Sequence, residues 1–402
     1  MSESLALEKT GRLVSVDAYR GFVMLLMVSG GFAFPQVARQ FADSEAWGIL
    51  AKQFSHAPWV GCSLFDLIQP SFMFIVGVVM PFSFARRQER GDRQAKIIGH
   101  VIFRAFFLIL LGIFLRSYGA KQTNFTFEDV VTQIGMGYVF VYLVLGRGLR
   151  VQALVVAAVL VGYWLLFALW PTPGPSFDPK SVGIPGDWNQ LSGFAAHWNK
   201  HVNPAGAFDL WFMNLFPRPK PYFYNPGGYQ TLNFIPSIAT MILGVMAGEL
   251  LRGKRTMNGK FIRLVLAAAA CFLLSMAVDG YIRPFGHSTW TLCPVIKRIY
   301  TPNWAIFSTG WTLLTLAIFY LLIEIVGWRR WAFPLVVVGM NSITIYILAR
   351  IFKPWVVETI KIHLGRNIFA GTYGPIVQSV VAMIALWLVC WWMYRRKIFL
   401  RV

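Results

Sequence analysis

The chain has 402 residues, 56% of them hydrophobic and 13% charged, and its 37 Lys and Arg against 17 Asp and Glu leave a formal net charge of +20. Mean hydropathy is +0.56 and the apolar residues fall in long blocks, which excludes an ordinary soluble domain and predicts a polytopic membrane protein. The basic excess does not indicate nucleic acid as a partner, because Lys and Arg concentrate in short connectors between apolar blocks.

Crossing roughly 30 Å of hydrocarbon takes about 20 helical residues. Ten blocks meet or approach that length: 13–34, 62–85, 97–118, 129–146, 151–170, 234–251, 262–282, 304–326, 332–351 and 374–394. The expected fold class is therefore all-α, with about ten transmembrane helices. Every second connector is basic: Arg86 to Lys96, Arg147 to Arg150, Arg252 to Arg263, Arg329 with Arg330, and the tail Arg395 to Lys397. With Lys9 and Arg12 these place both termini in the cytoplasm. Residues 1–12 lack a cleavable signal pattern and read as a cytoplasmic segment, 13–394 as one transmembrane domain, and 395–402 as a basic cytoplasmic tail.

The opposite loops then face outward, above all 171–233, rich in Pro, Gly, Trp, Tyr and Asn. Aromatic faces stack on sugar C–H surfaces while amides and carboxylates bond hydroxyls, so Trp188 and Trp198 suit a carbohydrate; an interfacial aromatic belt is the competing explanation. Four cysteines, Cys62, Cys271, Cys293 and Cys390, lack metal-ligand spacing and read as small buried hydrophobes, with Cys62 and Cys293 alone able to approach each other. No metal site is expected.

The stretch 55–70 stands apart: a polar segment carrying His56 runs directly into an apolar helix carrying Asp66. A carboxylate at the mouth of a membrane helix needs a partner or a function, since insertion of a charge costs roughly 3 kcal/mol. By depth the partner is His56, and a His held by a carboxylate is the arrangement of a general base; a plain surface histidine is the alternative. At the other membrane face Asp17 and Arg20 lie three apart on one helix, and His100 and Arg104 four apart on another. Each pair can be structural or can meet an anionic ligand such as phosphate. Asn341, within the ninth block, can bond a neighbouring helix. Lys297 lies in an outward loop, where it is either solvated or touches a substrate.

Together the motifs Ser15-Val-Asp17-Ala-Tyr-Arg20-Gly21, His56-Ala-Pro-Trp59-Val-Gly61, Asp66-Leu-Ile-Gln-Pro70 and Gly339-Met-Asn341-Ser342 resemble the heparan-alpha-glucosaminide N-acetyltransferase family and its bacterial relatives, with weaker similarity through Tyr224-Asn-Pro-Gly-Gly and Pro294-Val-Ile-Lys297. The resemblance implies a multi-pass enzyme of the inner membrane that takes an acetyl group from cytosolic acetyl-CoA and delivers it to an amine, or hydroxyl, of an extracytoplasmic sugar or glycan. It matches the family's essential histidine to His56, assisted by Asp66. Asp17, Arg20, His100, Arg104 and Asn341 are then candidates for the donor, and Trp59, Lys297, Trp188 and Trp198 for the acceptor. Glycine in Ser29-Gly30-Gly31 stands where the family has asparagine, and Val131-Thr132-Gln133 replaces its Leu-Gln-Arg. The alternative reading is a transporter or flippase using the intramembrane charges Asp17, Arg20, Asp66, Glu249 and Glu324. A homodimer is left open as an assembly.

Overall fold

The computed structural model describes residues 13–174, 176–279 and 291–400; the N-terminal segment 1–12 with Lys9 and Arg12, and the last two residues of the tail, lie outside the described residues. The helices are α1 Val14–Ser29, α2 Phe34–Ala38, α3 Glu45–Gln53, α4 Ile68–Glu89, α5 Gln94–Ser117, α6 Val130–Val144, α7 Leu149–Ala168, α8 Pro204–Phe212, α9 Phe234–Arg252, α10 Met257–Val278, α11 Pro302–Tyr320, α12 Phe333–Met340, α13 Ser342–Ile351, α14 Lys353–Leu364 and α15 Gly374–Arg395. Among the described residues seven helices are long and apolar enough to cross a membrane, and nine if each of two bent pairs is one span. The expected all-α polytopic architecture is thus present. The expected fourth span is α6, whose 15 residues fall short of the about 20 needed for a full crossing.

Two expected spans are not continuous. The first, 13–34, breaks after Ser29, where Gly30, Gly31, Phe32 and Ala33 all have positive φ, and the pieces meet at 47°. Successive left-handed residues cannot propagate a right-handed helix. The ninth, 332–351, breaks at Asn341 by 72°. The connectors expected to face outward also carry helices the periodicity did not predict, α3 in 35–61 and α14 between α13 and α15.

Bundle packing rests on glycine. A Cβ on Gly77 of α4 would strike the Met241 carbonyl of α9, and one on Gly244 or Gly248 of α9 would strike the Phe74 or Val78 carbonyl of α4. The same relation joins α1 to α12 through Gly21 and Gly339. Small residues let helix backbones approach where lipid supplies no hydrophobic drive. The main core fills the space between these helices, with Met73, Phe74, Met241, Ile242 and Trp304 fully buried.

A second, smaller apolar cluster lies beneath the outer layer: Trp59, Tyr163, Phe167, Trp198, Ala205, Cys293, Ile296 and Ile299. Over it the 171–233 connector folds into short turns and α8, closed onto the bundle by Asp209, whose carboxylate accepts from Thr231 N at 2.9 Å. Asp209 is 2% exposed, and that burial pushes its pKa from 3.8 up to about 7 against the opposing Thr231 bonds. All four cysteines are free thiols.

Replacing Gly244 by Val should lower stability by about 1–3 kcal/mol or more, because the branched side chain meets an immovable carbonyl; thermal unfolding of the purified protein reads this directly. The raised Asp209 pKa means the folded chain keeps a proton that the unfolded chain has lost. Its contribution is complete below the ordinary carboxylate range and disappears as pH rises to about 7. Asp209→Asn should therefore flatten the fall in melting temperature across that window and leave the variant the more stable of the two above it.

Candidate active site

The site begins with a helix start. Ser63 has extended backbone and caps the turn Leu64–Leu67: its side chain accepts from Asp66 N while Asp66 Oδ2 accepts from Ser63 N at 3.1 Å. This reciprocal capping box fixes the carboxylate at the N-terminal end of the α4 column, where the helix dipole favours negative charge. Ala57 N adds a third contact, donating to Oδ2 at 3.0 Å and drawing the preceding loop over the carboxylate.

That loop delivers His56, whose Nδ1 lies 2.8 Å from Asp66 Oδ1. Its ring packs against Phe65 at 5.2 Å between centroids, and its side chain is 40% exposed whereas Asp66 is fully buried. Among the described residues no group engages Nε2. The imidazole is therefore anchored on one nitrogen and accessible on the other, as a general base requires.

Lys297 comes from a distant loop and joins the pair. An isolated antiparallel bridge pairs Val60 with Ile296, and Gly61 N donates to Val295 O at 2.9 Å, so the two loops run side by side. Thr301 Oγ1 donates to Pro294 O and receives Ile296 N, and Asp279 receives Val295 N, which locks the second loop in place. Lys297 Nζ then sits 3.0 Å from Asp66 Oδ1 and 3.0 Å from His56 Nδ1, with its side chain 7% exposed. Lys297, expected either to be solvated or to touch a substrate, is buried in the structure and contacts both other groups.

Around this centre Tyr229 lies under Lys297 and Arg298, at 5.8 and 5.2 Å, and Arg298 bonds the carbonyls of Ala57 and Gly227. Trp59 stands edge-on to Trp188 at 5.9 Å and donates its indole N–H to Trp198 O. Trp188 is half-buried under the Lys200 ammonium, 4.6 Å above its ring. Trp198 is fully buried and stacks on Phe167, so its ring supports the wall from beneath.

The other candidates gather elsewhere. A cavity of about 440 Å³ is lined by Asp17, Arg20, His100 and Arg104, with Arg86 and Arg87 of α4 and Arg90 just past its end among the further basic residues. Arg20 pairs with Asp17 at 3.5 Å and donates to Gly339 O at 3.1 Å, while Arg104 lies over the Tyr138 ring at 4.9 Å. Asn341 is fully buried at the helix break, its neighbours Met340 and Ser342 line the cavity, and its amide has no hydrogen-bond partner among the described residues. Along α4 toward Phe72 the lining is mainly apolar, with Ile75, Val76, Val79, Met80 and Phe82. From Arg90 to Phe72 it follows α4 for about 27 Å at 1.5 Å per residue, and the six residues from Phe72 back to Asp66 add about 9 Å.

The two motif departures have a structural counterpart. Gly31, in a left-handed conformation, lies where a Cβ would press on Phe54 O, two residues before His56. Gln133 replaces an ionic side chain with a neutral relay, accepting from Gln69 at 3.0 Å and donating to Gln230 O at 3.4 Å. Sequence reasoning missed Ser63, Tyr229, Arg298 and the role of the Arg86–Arg90 run beyond topology. The Ser-x-x-Asp spacing at 63–66 is a readable capping signature; the long-range contacts have no local signal.

Residues 12–184 match the family model for the heparan-alpha-glucosaminide N-acetyltransferase catalytic region. Over 97% of its length the chain is 26% identical to heparan-alpha-glucosaminide N-acetyltransferase of Homo sapiens and 24% identical to that of Mus musculus. It spans 60% of the length of each of these curated relatives. The His56–Asp66 pair and the cavity-lining Asp17, Arg20, His100 and Arg104 all fall inside the matched region. The chain is thus a multi-pass membrane protein similar to heparan-alpha-glucosaminide N-acetyltransferases.

Proposed function

We propose that this chain is an acyltransferase of the inner membrane that takes an acetyl group from acetyl-CoA on the cytoplasmic side and transfers it to an amine or hydroxyl of a sugar on the other side. The observation that carries this reading is that α4 bears both ends of the route: a cavity with a basic end, and at the helix start a histidine anchored to a buried carboxylate. Arginine forks suit the phosphates of a CoA head group, and an apolar throat suits its slender acyl-bearing arm. The basic connectors support a cytoplasmic side for the cavity's basic end and for both termini. Trp59, Trp188 and Tyr229 would form the wall that meets the acceptor, as expected for a sugar.

In this reading Nε2 of His56 receives the proton of the acceptor N–H as the acceptor nitrogen bonds the acetyl carbon. The carbon–sulfur bond of the thioester breaks, and the same proton passes from the imidazolium to the departing sulfur, giving the amide and the free thiol. Asp66 holds Nδ1 and balances the transient positive charge.

The transport reading gains one observation, the two bent helix pairs, because broken membrane helices recur at transporter binding sites. Dependence on CoA separates the two. Acetyl-CoA at a hundredfold excess over its Kd should raise stability by about 2.7 kcal/mol, seen as a higher melting temperature, and free sugars alone should not. Absence of any response to acetyl-CoA or CoA would rule out the enzyme. His56→Ala should lower acetyl transfer by about 10²-fold or more while preserving the donor-induced shift. Arg87→Ala with Arg90→Ala should raise KM for the donor about tenfold with kcat little changed, as steady-state kinetics would show.

A further inference from the structure

The three distances around His56 Nδ1 cannot all be ordinary hydrogen bonds. A carboxylate only accepts, and an ammonium only donates, so Nδ1 can satisfy Asp66 with a proton or Lys297 with a lone pair, not both. Asp66 is held as an anion by the two backbone N–H groups on Oδ2 and by Lys297 on Oδ1. At 2.8 Å a lone pair on Nδ1 would face that anion directly, so the proton belongs on Nδ1. Lys297 and Nδ1–H then converge on the same oxygen, and the free lone pair of the neutral ring is on Nε2.

A second proton, on Nε2, would place an imidazolium 3.0 Å from an ammonium whose side chain is 7% exposed. Water screens that repulsion poorly. Asp66 offers Nδ1 an anionic oxygen, and Lys297 sets a positive charge against that same oxygen and the same ring nitrogen. The remaining charged or titratable groups nearby are Arg298, which bonds Ala57 O, Tyr229 beneath both cations, and the Cys62 thiol. Of these only Arg298 carries a further full charge at neutral pH, and it too is positive.

We propose that Lys297 is a positioning residue that fixes His56 as the neutral Nδ1–H tautomer, keeping the Nε2 lone pair ready and making the imidazolium formed during transfer quick to surrender its proton. The catalytic consequence rests on the acyl-transfer reading above; the protonation of His56 at rest does not.

The test uses full-length protein and diethyl pyrocarbonate, which modifies neutral imidazole, with carbethoxylation of His56 followed by peptide mass spectrometry as a function of pH. Lys297→Met should move the half-point of modification upward by about one pH unit or more, and Lys297→Arg should restore it. An unchanged or lowered half-point in folded Lys297→Met would overturn the proposal. Should that variant fail to fold, the double variant Lys297→Met/Asp66→Asn is compared with Asp66→Asn alone, and the half-point must be higher in the double variant. Because no turnover is needed, a protein without acetyl transfer would sink the functional reading while leaving this result intact. In active protein the acidic limb of kcat/KM should move with the half-point, whereas a lysine that only binds acceptor would change KM and leave both in place.

Discussion

A carboxylate with no exposed surface must be met by donors on every side, and Asp66 gathers them from three separate parts of the chain: its own helix cap, the 55–61 loop and the loop before α11. Each donor is also a constraint on the fold. The cap at Ser63 starts the α4 column, the Ala57 contact seats His56, and Lys297 requires the bridge between Val60 and Ile296. The site is therefore a closure point of the half of the molecule that carries these loops, and it holds its geometry because the same bonds hold the loops.

The bundle below serves this arrangement by backbone proximity. Gly77, Gly244 and Gly248 bring α4 against α9, and Gly21 with Gly339 brings α1 against α12, so that charged side chains on α1 and α4 face one cavity without widening the packed core. The break at Asn341 leaves carbonyls at the end of α12 that an unbroken helix would satisfy internally, and Arg20 meets one of them at Gly339. Arg20, which looked from the sequence to be either structural or functional, thus makes a structural bond and also lines the cavity.

Much of this was legible in advance. Long apolar blocks gave the helices because hydropathy is a local property, and depth along the helices paired His56 with Asp66 while separating Asp17 from them. The helix breaks were hidden because each broken segment is apolar enough overall to read as one span, although Gly30-Gly31 is a cue at the first and Asn341-Ser342 at the second. Lys297 was visible only as a loop charge, since its neighbours lie more than 200 residues away and meet it through tertiary structure. Trp198 looked like a sugar platform by composition alone; burial, which composition does not encode, makes it a packing residue beneath Trp59.

In the proposed route one helix, α4, runs from a donor site at its basic end to a base at its other end. The most direct measurement is an experimental structure with acetyl-CoA bound. The account predicts the nucleotide among Arg86, Arg87, Arg90 and His100, the acyl arm passing Phe72, and the thioester beside Nε2 of His56. Acetyl-CoA bound wholly on the outer face, or with its thioester remote from His56, would contradict it.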